Sequence, residues 1–231
     1  MFESDIKPRI AIIDDDDEAI DIVKLELSDA GYDPFSVDQP ILDIDSLVES
    51  LFRSVSGVVC DHRLSFGSNT AVSGAEIVAR FYDKKIPAIL VTQFVDIDYD
   101  TSIRKWRNKI PILLDRGKTS ALVIKEGFEK CKQELFGELS PDRVAYRSLI
   151  RVVEIDKSRK EATVLAIIPT WNPRHVVQFP LSIIPASMRD GIQSDARLLA
   201  KTNLDAARAE DLFFIDFETI PSLSDDDDEL S

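Results

Sequence analysis

Short apolar runs alternate with longer stretches of helical spacing along the amino-terminal part of the chain. The runs are rich in Val, Ile and Leu, as is typical of buried strands. They predict strands at 10–13, 34–37, 57–60, 87–91 and 110–114. The stretches between them predict helices at 17–30, 42–52, 75–82, 98–108 and from residue 119 or 120 to 135. Strands and helices in this order are typical of an α/β domain with a parallel sheet.

The first helix illustrates the spacing on which these predictions depend. Asp17 is a suitable N-cap, and Ile20, Val23 and Leu27 then fall on one helical face. Gly31 follows at the carboxyl end, where a glycine commonly stops a helix. Strand, helix and glycine together predict a βα unit.

The pattern changes from helical to alternating spacing near residue 144. Further runs predict strands at 149–155, 164–168, 176–184, 196–200 and 212–217. The odd-numbered residues from 149 to 155 share one face of their strand, and those from 213 to 217 share one face of theirs. Short strands without a long helix predict a small all-β barrel or sandwich domain.

These changes of pattern predict the domain organisation. We expect an amino-terminal domain over 1–137, a linker over 138–143, a small β-domain over 144–222 and a tail over 223–231. The tail contains the acidic run 225–229, which cannot bury itself, so we expect it to be disordered.

The charge of the chain bears on which partners it can bind. It carries 42 acidic and 28 basic residues, a formal net charge of -14. Surfaces that bind DNA are cationic, so this composition argues against DNA as a partner. The basic strip at 104–107 is expected to be the solvated face of a helix.

Cysteine usage and hydropathy bear on the compartment. Cys60 and Cys131 lie within apolar patterns, so we expect buried thiols rather than a disulfide. No run approaches the roughly 20 apolar residues of a membrane span, and the amino terminus does not resemble a signal peptide. We therefore expect a cytoplasmic protein with no membrane partner.

Polar side chains follow three of the predicted strands. Asp14 and Asp15 come directly after the first strand, Asp61 after the third and Thr92 after the fourth. Because the carboxyl ends of parallel strands lie at one edge of the sheet, these side chains are expected to converge there.

With these motifs in register, residues 8–136 resemble the receiver domain of bacterial two-component response regulators. The resemblance implies a five-stranded, parallel, doubly wound, flavodoxin-like domain. It also implies that Asp61 is the phosphoacceptor and that Thr92 contacts the phosphoryl group. It further implies a Mg²⁺ cofactor held by Asp14, Asp15, Asp61 and the backbone carbonyl of Arg63. Carboxylates suit this role, since a hard cation must screen them from an incoming phosphoryl group.

The chain departs from the receiver pattern after the fifth strand. Receivers have a lysine there that neutralises the phosphoryl group, whereas this chain has Arg116 and Lys118, either of which can substitute. The strand also lacks the usual switch aromatic. We therefore expect the signal to pass through the loop after Thr92 and the helix at 98–108. This segment carries Phe94, Tyr99 and Trp106, which can change their packing when Thr92 moves.

The expected function is that of a response regulator and not of an enzyme. Its partners are expected to be a histidine kinase or phosphotransfer protein and a protein or peptide that binds the β-domain, with a homodimer possible. His62 is expected to be a surface or packing residue.

Two alternatives remain open from the sequence. The first is a degenerate receiver that acts as a constitutive protein-protein adaptor. The second is a haloacid-dehalogenase-like phosphohydrolase, because 14–16 contains an Asp-x-Asp pattern and 90–92 resembles that family's second motif. Against the second, no convincing acid pair follows a fourth strand.

Overall fold

The computed structural model describes residues 7–38, 41–64, 72–93, 99–158 and 161–220, except for the side chains of residues 72, 99 and 100. The predicted tail at 223–231 and Phe94 lie outside the described residues. The chain divides into two compact units, Met1–Arg143 and Val144–Ser231.

The first unit is built of alternating strands and helices. In chain order its elements are β1 (Arg9–Ile13), α1 (Asp17–Asp29), β2 (Asp33–Ser36), α2 (Ile44–Leu51), β3 (Gly57–Asp61), β4 (Arg63–Leu64), β5 (Val72–Ser73), α3 (Gly74–Asp83), β6 (Ala88–Thr92), β7 (Ile112–Asp115) and α4 (Ala121–Leu135). Five parallel strands form one sheet in the order β2-β1-β3-β6-β7, and β4 and β5 form a separate antiparallel pair. This strand order is that of the flavodoxin-like fold, so the predicted α/β class is confirmed.

The sheet is buried on both faces, which explains why its strands are continuously apolar. Ile10 and Ile12 of β1 pack into a core with α1 and α4, while Ala11 and Ile13 pack into the opposite core with α2 and α3. Cys60 and Cys131 are free and buried, as predicted.

Helix α1 begins at Asp17, the residue that the sequence analysis predicted as its N-cap. Asp16 is the N-cap, and its carboxylate accepts hydrogen bonds from the backbone N–H groups of Glu18 and Ala19. The predicted face is correct, since Ile20 and Leu27 are buried. One run of acids thus supplies both a helix cap and groups at the strand end.

The helix predicted at 98–108 is wrong over the described residues. A single π-helical turn spans Tyr99–Ile103, and a 3₁₀ turn spans Arg107–Lys109. Arg104 and Arg107, predicted on a solvated face, are buried. The Arg107 guanidinium donates to the carbonyl of Ile110, three positions further along the chain, and this local contact keeps the side chain away from solvent.

The segment predicted as a linker ends on a buried ion pair within the first unit. The Arg143 guanidinium donates to both carboxylate oxygens of Glu134, each at 2.9 Å. It also donates to the backbone carbonyls of Arg107 and Asn108, at 3.1 and 2.7 Å. Arg143 therefore joins the end of α4 to the chain that leads into β7.

The second unit is a five-stranded antiparallel sheet. Its elements are β8 (Tyr146–Asp156), β9 (Thr163–Ile168), β10 (Asn172–Pro180), α5 (Ala186–Arg189), β11 (Arg197–Thr202) and β12 (Phe214–Thr219). The strand order is β10-β9-β8-β11-β12. The first half of β8 pairs with β11 and the second half pairs with β9.

Aromatic contacts show that this sheet curls. Phe179 of β10 and Phe214 of β12, on opposite edges, have ring centroids 4.8 Å apart. A flat sheet of this width would separate its edges by roughly 19 Å. The two edges therefore approach each other around the core, as the predicted β-class implies.

The inward face of β8 differs from the simple alternation in the sequence. Ser148, Ile150 and Val152 are buried, whereas residues 149, 151, 153 and 155 are half-buried or exposed. Register shifts occur between Val152 and Glu154 and between Leu199 and Lys201. Such bulges change which residues face inward, and this change is invisible to a strict period of two.

Among the described residues, no helix is long and apolar enough to cross a membrane.

The start of α3 leaves no room for a side chain. A Cβ at Gly74 would lie 1.7 Å from the carbonyl oxygen of Asp61. We expect Gly74→Ala to lower the free energy of unfolding of the first unit by about 3 kcal/mol or more, because backbone must shift. Denaturant unfolding measures the change.

Gly117→Ala is the matched control. The nearest atom to its Cβ would be Asp115 Oδ1, at 3.5 Å. We expect a change within about 0.5 kcal/mol. Equal stability of both variants would contradict the tight approach of α3 to the Asp61 carbonyl.

Candidate functional site

The residues singled out at the strand ends line one small cavity at the carboxyl edge of the parallel sheet. Asp14 follows β1, Asp61 ends β3, Thr92 ends β6 and Arg116 follows β7. The cavity has a volume of about 150 Å³ and is lined by Asp14, Asp15, Asp16, Asp61, Arg63, Thr92, Gln93 and Arg116. The sheet therefore brings the predicted residues together, because parallel strands end at a common edge.

Three of these residues form a cluster of carboxylates. Asp14, Asp15 and Asp61 each offer an oxygen, and these oxygens all lie within 4.8 Å of one another. Asp14 and Asp61 are buried, with 6% and 8% exposure, whereas Asp15 is exposed. A cluster of hard oxygen donors with one open side has the ligand chemistry that Mg²⁺ prefers.

A guanidinium lies against two of the carboxylates. Arg116 Nη2 is 2.8 Å from Asp14 Oδ2 and 2.5 Å from Asp61 Oδ1. Its Nη1 is 3.5 Å from Asp16 Oδ2. One cation thus bridges the ends of β1 and β3 by charge-assisted hydrogen bonds.

Backbone amides hold the other oxygen of each of these carboxylates. The Asp16 N–H donates to Asp14 Oδ1 at 3.1 Å, and the Arg63 N–H donates to Asp61 Oδ2 at 2.7 Å. Each carboxylate is therefore oriented by the backbone on one side and directs its second oxygen to Arg116.

The second candidate cation lies elsewhere. The Lys118 side chain is 81% exposed and pairs with Asp115 across 3.6 Å. It does not line the cavity. The structure therefore puts Arg116, and not Lys118, beside the acids; which residue neutralises a phosphoryl group stays a prediction.

Burial and like charge raise the pKa of Asp14. Desolvation is the largest cause, the negative charge of Asp61 adds to it, and Arg116 opposes it, which leaves a pKa of about 6. A carboxyl group normally titrates near 3.8. At the Asp14 carboxyl group, burial and the charge of Asp61 together outweigh the opposing effect of Arg116.

His62, the residue after Asp61, connects the site to the segment before β7. It is buried, and its Nε2 lies 2.8 Å from Ser102 Oγ in the π-helical turn. Its carbonyl accepts a hydrogen bond from the Gly74 N–H at 2.9 Å. His62 is therefore a packing residue, one of the two roles expected for it, with a specific polar contact.

The sequence analysis did not predict two features of the site. The His62 contact to Ser102 joins residues 40 positions apart and leaves no local pattern. The close approach of Gly74 to Asp61 had one signal, a glycine directly at the start of a helical pattern. Glycines in such positions often allow backbone segments to approach closely.

No family model and no curated protein matches the chain. Solved structures match its amino-terminal part. A response regulator receiver domain protein from Clostridium thermocellum is 16% identical, with 55% of this chain and 95% of that chain covered and a TM-score of 0.42. The signal receiver domain of a modulated diguanylate cyclase from Desulfovibrio desulfuricans G20 is 19% identical, with 57% and 98% covered and a TM-score of 0.45.

The response regulator TrrA from Thermotoga maritima, solved in complex with Mg²⁺ and BeF, is 20% identical. The match covers 54% of this chain and 98% of the TrrA chain, with a TM-score of 0.40. At these identities the likeness concerns the fold of the amino-terminal unit alone.

Because the pKa of Asp14 is raised, ionisation of this carboxyl group lowers the free energy of unfolding. The folded state holds the proton more tightly than the unfolded chain, so stability falls as pH rises from about 4 to 6. At pH 8 without metal, we expect Asp14→Asn to raise the free energy of unfolding by roughly 1–3 kcal/mol. Hydrogen exchange of the β1 and β3 amides measures it in the first unit.

Asp21→Asn on the exposed face of α1 is the control for removal of one negative charge. We expect it to change little. Destabilisation by Asp14→Asn at pH 8 would contradict the electrostatic account of the cavity.

Proposed function

We propose that this protein is a response regulator that accepts a phosphoryl group on Asp61 with the help of Mg²⁺. One observation carries the proposal: the carboxylates of Asp14, Asp15 and Asp61 lie within 4.8 Å of one another at the carboxyl edge of the sheet. Buried carboxylates repel one another, so such a cluster is suited to a cation and to a group that the cation accompanies.

The residues present fit Mg²⁺. The charged ligands that the site offers are carboxylate oxygens. Burial is the main cause of the raised pKa of Asp14, and the negative charge of Asp61, the second cause, is one that a divalent cation would relieve. Asp14, Asp15, Asp61 and the backbone carbonyl of Arg63 are the proposed ligands. When bound, the ion would screen the carboxylates and stabilise the charge on a phosphoryl group.

The protein's own groups have separate roles in the proposed transfer. An oxygen of Asp61 attacks phosphorus, a new O–P bond forms, and the bond to the donor's leaving group breaks with its electron pair. The Arg63 N–H fixes Asp61 Oδ2 at 2.7 Å, so the proposed nucleophile is Oδ1, which accepts a hydrogen bond from Arg116. Arg116 neutralises charge on the phosphoryl oxygens, and the buried Thr92 hydroxyl contacts one of them.

For the second unit we propose a protein or peptide partner and not DNA. Several of its surface cations are matched by acids: Arg147 pairs with Glu218 at 2.8 Å and Lys201 with Asp216 at 2.8 Å. Such pairing opposes a cationic face for phosphate. The edge strand β10 carries the exposed residues 172–176. An exposed sheet edge can accept an added strand from a partner.

The metal-independent adaptor remains the second candidate because one observation favours it. Arg116 already provides a cation to Asp14 and Asp61. The phosphohydrolase alternative has less support, since the last acid of its Asp-x-Asp pattern, Asp16, caps helix α1.

We expect acetyl phosphate or a cognate histidine kinase with Mg²⁺ to add one phosphoryl group to the full chain. Asp61→Asn should abolish this addition because the nucleophilic oxygen is replaced by an amide, and the control Asp21→Asn should retain it. Intact-mass measurement decides the outcome.

A wild-type mass that does not change, under conditions that label another receiver in parallel, would favour the adaptor. Mg²⁺-dependent hydrolysis of phosphatase substrates that survives in Asp61→Asn but not in Asp14→Asn would favour the phosphohydrolase.

A second expectation concerns the route out of the site. His62 contacts Ser102 in the segment before β7, so a change at Asp61 and Thr92 has a physical path to residues 99–110. We expect beryllofluoride with Mg²⁺ to alter hydrogen exchange at 99–110 in the wild type. Thr92→Ala should still accept a phosphoryl group but lose this change.

Asp61→Asn supplies the baseline for the exchange experiment, since it cannot respond through the acceptor. Exchange differences confined to the cavity-lining residues, with none at 99–110, would show that this route does not carry the signal.

A further inference from the structure

Two arginines face each other on the outward surface of the second unit. Arg151 of β8 and Arg197 of β11 are direct partners in the antiparallel pairing of these strands. Both side chains are exposed, whereas Ile150, Val152 and Leu198 beside them are buried. The two arginines therefore lie on the same face of the sheet. Like charges directly opposite each other destabilise a sheet, so an anionic group beside this arginine pair would stabilise it.

A second pair of cations on the same face is already neutralised. Arg147 and Lys201 are also direct partners across β8 and β11, and each forms an ion pair of 2.8 Å with an acid of β12. In contrast, neither Arg151 nor Arg197 makes an ion pair within the described part of the chain. The arginine pair thus differs from its neighbours in that the described residues supply no counterion for it.

The chain leaves the sheet next to the arginine pair. Thr219, the last residue of β12, is the partner of Leu198, which follows Arg197 on β11. Adjacent strands lie about 4.8 Å apart, so Arg151, one strand further on, is within roughly 10 Å of Thr219. The acidic run 225–229 begins six positions beyond Thr219, and six residues of extended chain span roughly 20 Å. The acidic run can therefore reach both arginines.

We propose that the acidic run 225–229 is the anionic occupant of the arginine pair. Guanidinium groups bind carboxylates by charge-assisted, bidentate hydrogen bonds, and every residue of the run carries a carboxylate. The short connection to β12 keeps these carboxylates at an effective concentration in the millimolar range, so weak individual contacts suffice. Such a contact does not require burial of the run, which agrees with its composition.

This occupant limits what the second unit can bind. Arg151 lies in one cross-strand row with Ile167 of β9 and Val176 of β10, so the arginine pair is on the same face as the outward side chains of the exposed edge. An anionic ligand on this face, nucleic acid included, must displace acids that belong to the same chain. An uncharged or cationic segment that pairs with β10 has no such competitor. The acidic run therefore selects against anionic partners.

Paramagnetic relaxation enhancement in the full chain tests the proposal. A nitroxide label on Ser231→Cys lies just beyond the acidic run, and the native Cys60 and Cys131 are buried. We expect the amide signals of residues 150–152 and 196–198 to lose roughly half of their intensity at low ionic strength. They should recover at about 1 M salt, where charges are screened beyond about 3 Å.

Substitution of the arginine pair identifies the groups that hold the acidic run. Arg151→Gln combined with Arg197→Gln should abolish most of this loss of intensity, because the proposed counterions are gone. Arg147→Gln combined with Lys201→Gln is the matched control, since it removes two cations from the same strands that acids of β12 already neutralise. The control should retain the loss of intensity. All four side chains are exposed, so both double variants are expected to fold, which their amide spectra verify.

Three results would overturn the proposal. The first is full intensity at 150–152 and 196–198 in the labelled chain at low ionic strength. The second is a loss of intensity that persists without the arginine pair, or that disappears equally in the control. The third is a loss seen only when spin-labelled copies are mixed with isotope-labelled copies, since the acidic run of a second copy would then be the occupant.

Discussion

Electrostatic repulsion among buried carboxylates is the constraint to which the amino-terminal unit responds. Two unit charges 4 Å apart repel by about 4 kcal/mol at an effective dielectric constant of 20, a large fraction of the stability of a typical domain. The oxygens of Asp14, Asp15 and Asp61 lie within 4.8 Å of one another, so the fold needs a counterion there. Arg116 supplies that counterion, and burial together with the charge of Asp61 still raises the pKa of Asp14 to about 6.

The remaining architecture keeps these groups close despite the cost. Strands β1 and β3 are adjacent and buried on both faces. The apolar contacts of the sheet therefore fix the positions of Asp14 and Asp61 at the strand ends. Gly74 lets α3 approach the Asp61 carbonyl, and backbone amides orient each carboxylate. Stability elsewhere in the unit thus maintains a locally unfavourable site, a pattern typical of functional sites.

The sequence predicts the features that depend on local period and on strand ends. Continuous apolar runs identify the buried strands, and the common carboxyl edge of parallel strands brings Asp14, Asp61 and Thr92 together. Features that depend on tertiary contacts were not accessible. Arg104 is buried although its place in a basic strip predicts a solvated face, and the bulge near Val152 changes the inward face of β8. The sequence could not decide whether Arg116 or Lys118 lies beside the acids, because the two residues are two positions apart on a turn whose path the sequence does not specify.

A crystal structure of the full chain with Mg²⁺ and beryllofluoride tests the central claim most directly. The account predicts beryllofluoride on Asp61, Mg²⁺ held by the carboxylates of Asp14, Asp15 and Asp61 with the Arg63 carbonyl, and the Arg116 guanidinium beside fluorine. A cavity with neither group bound at saturating concentrations, and Arg116 still bridging Asp14 and Asp61, would contradict it.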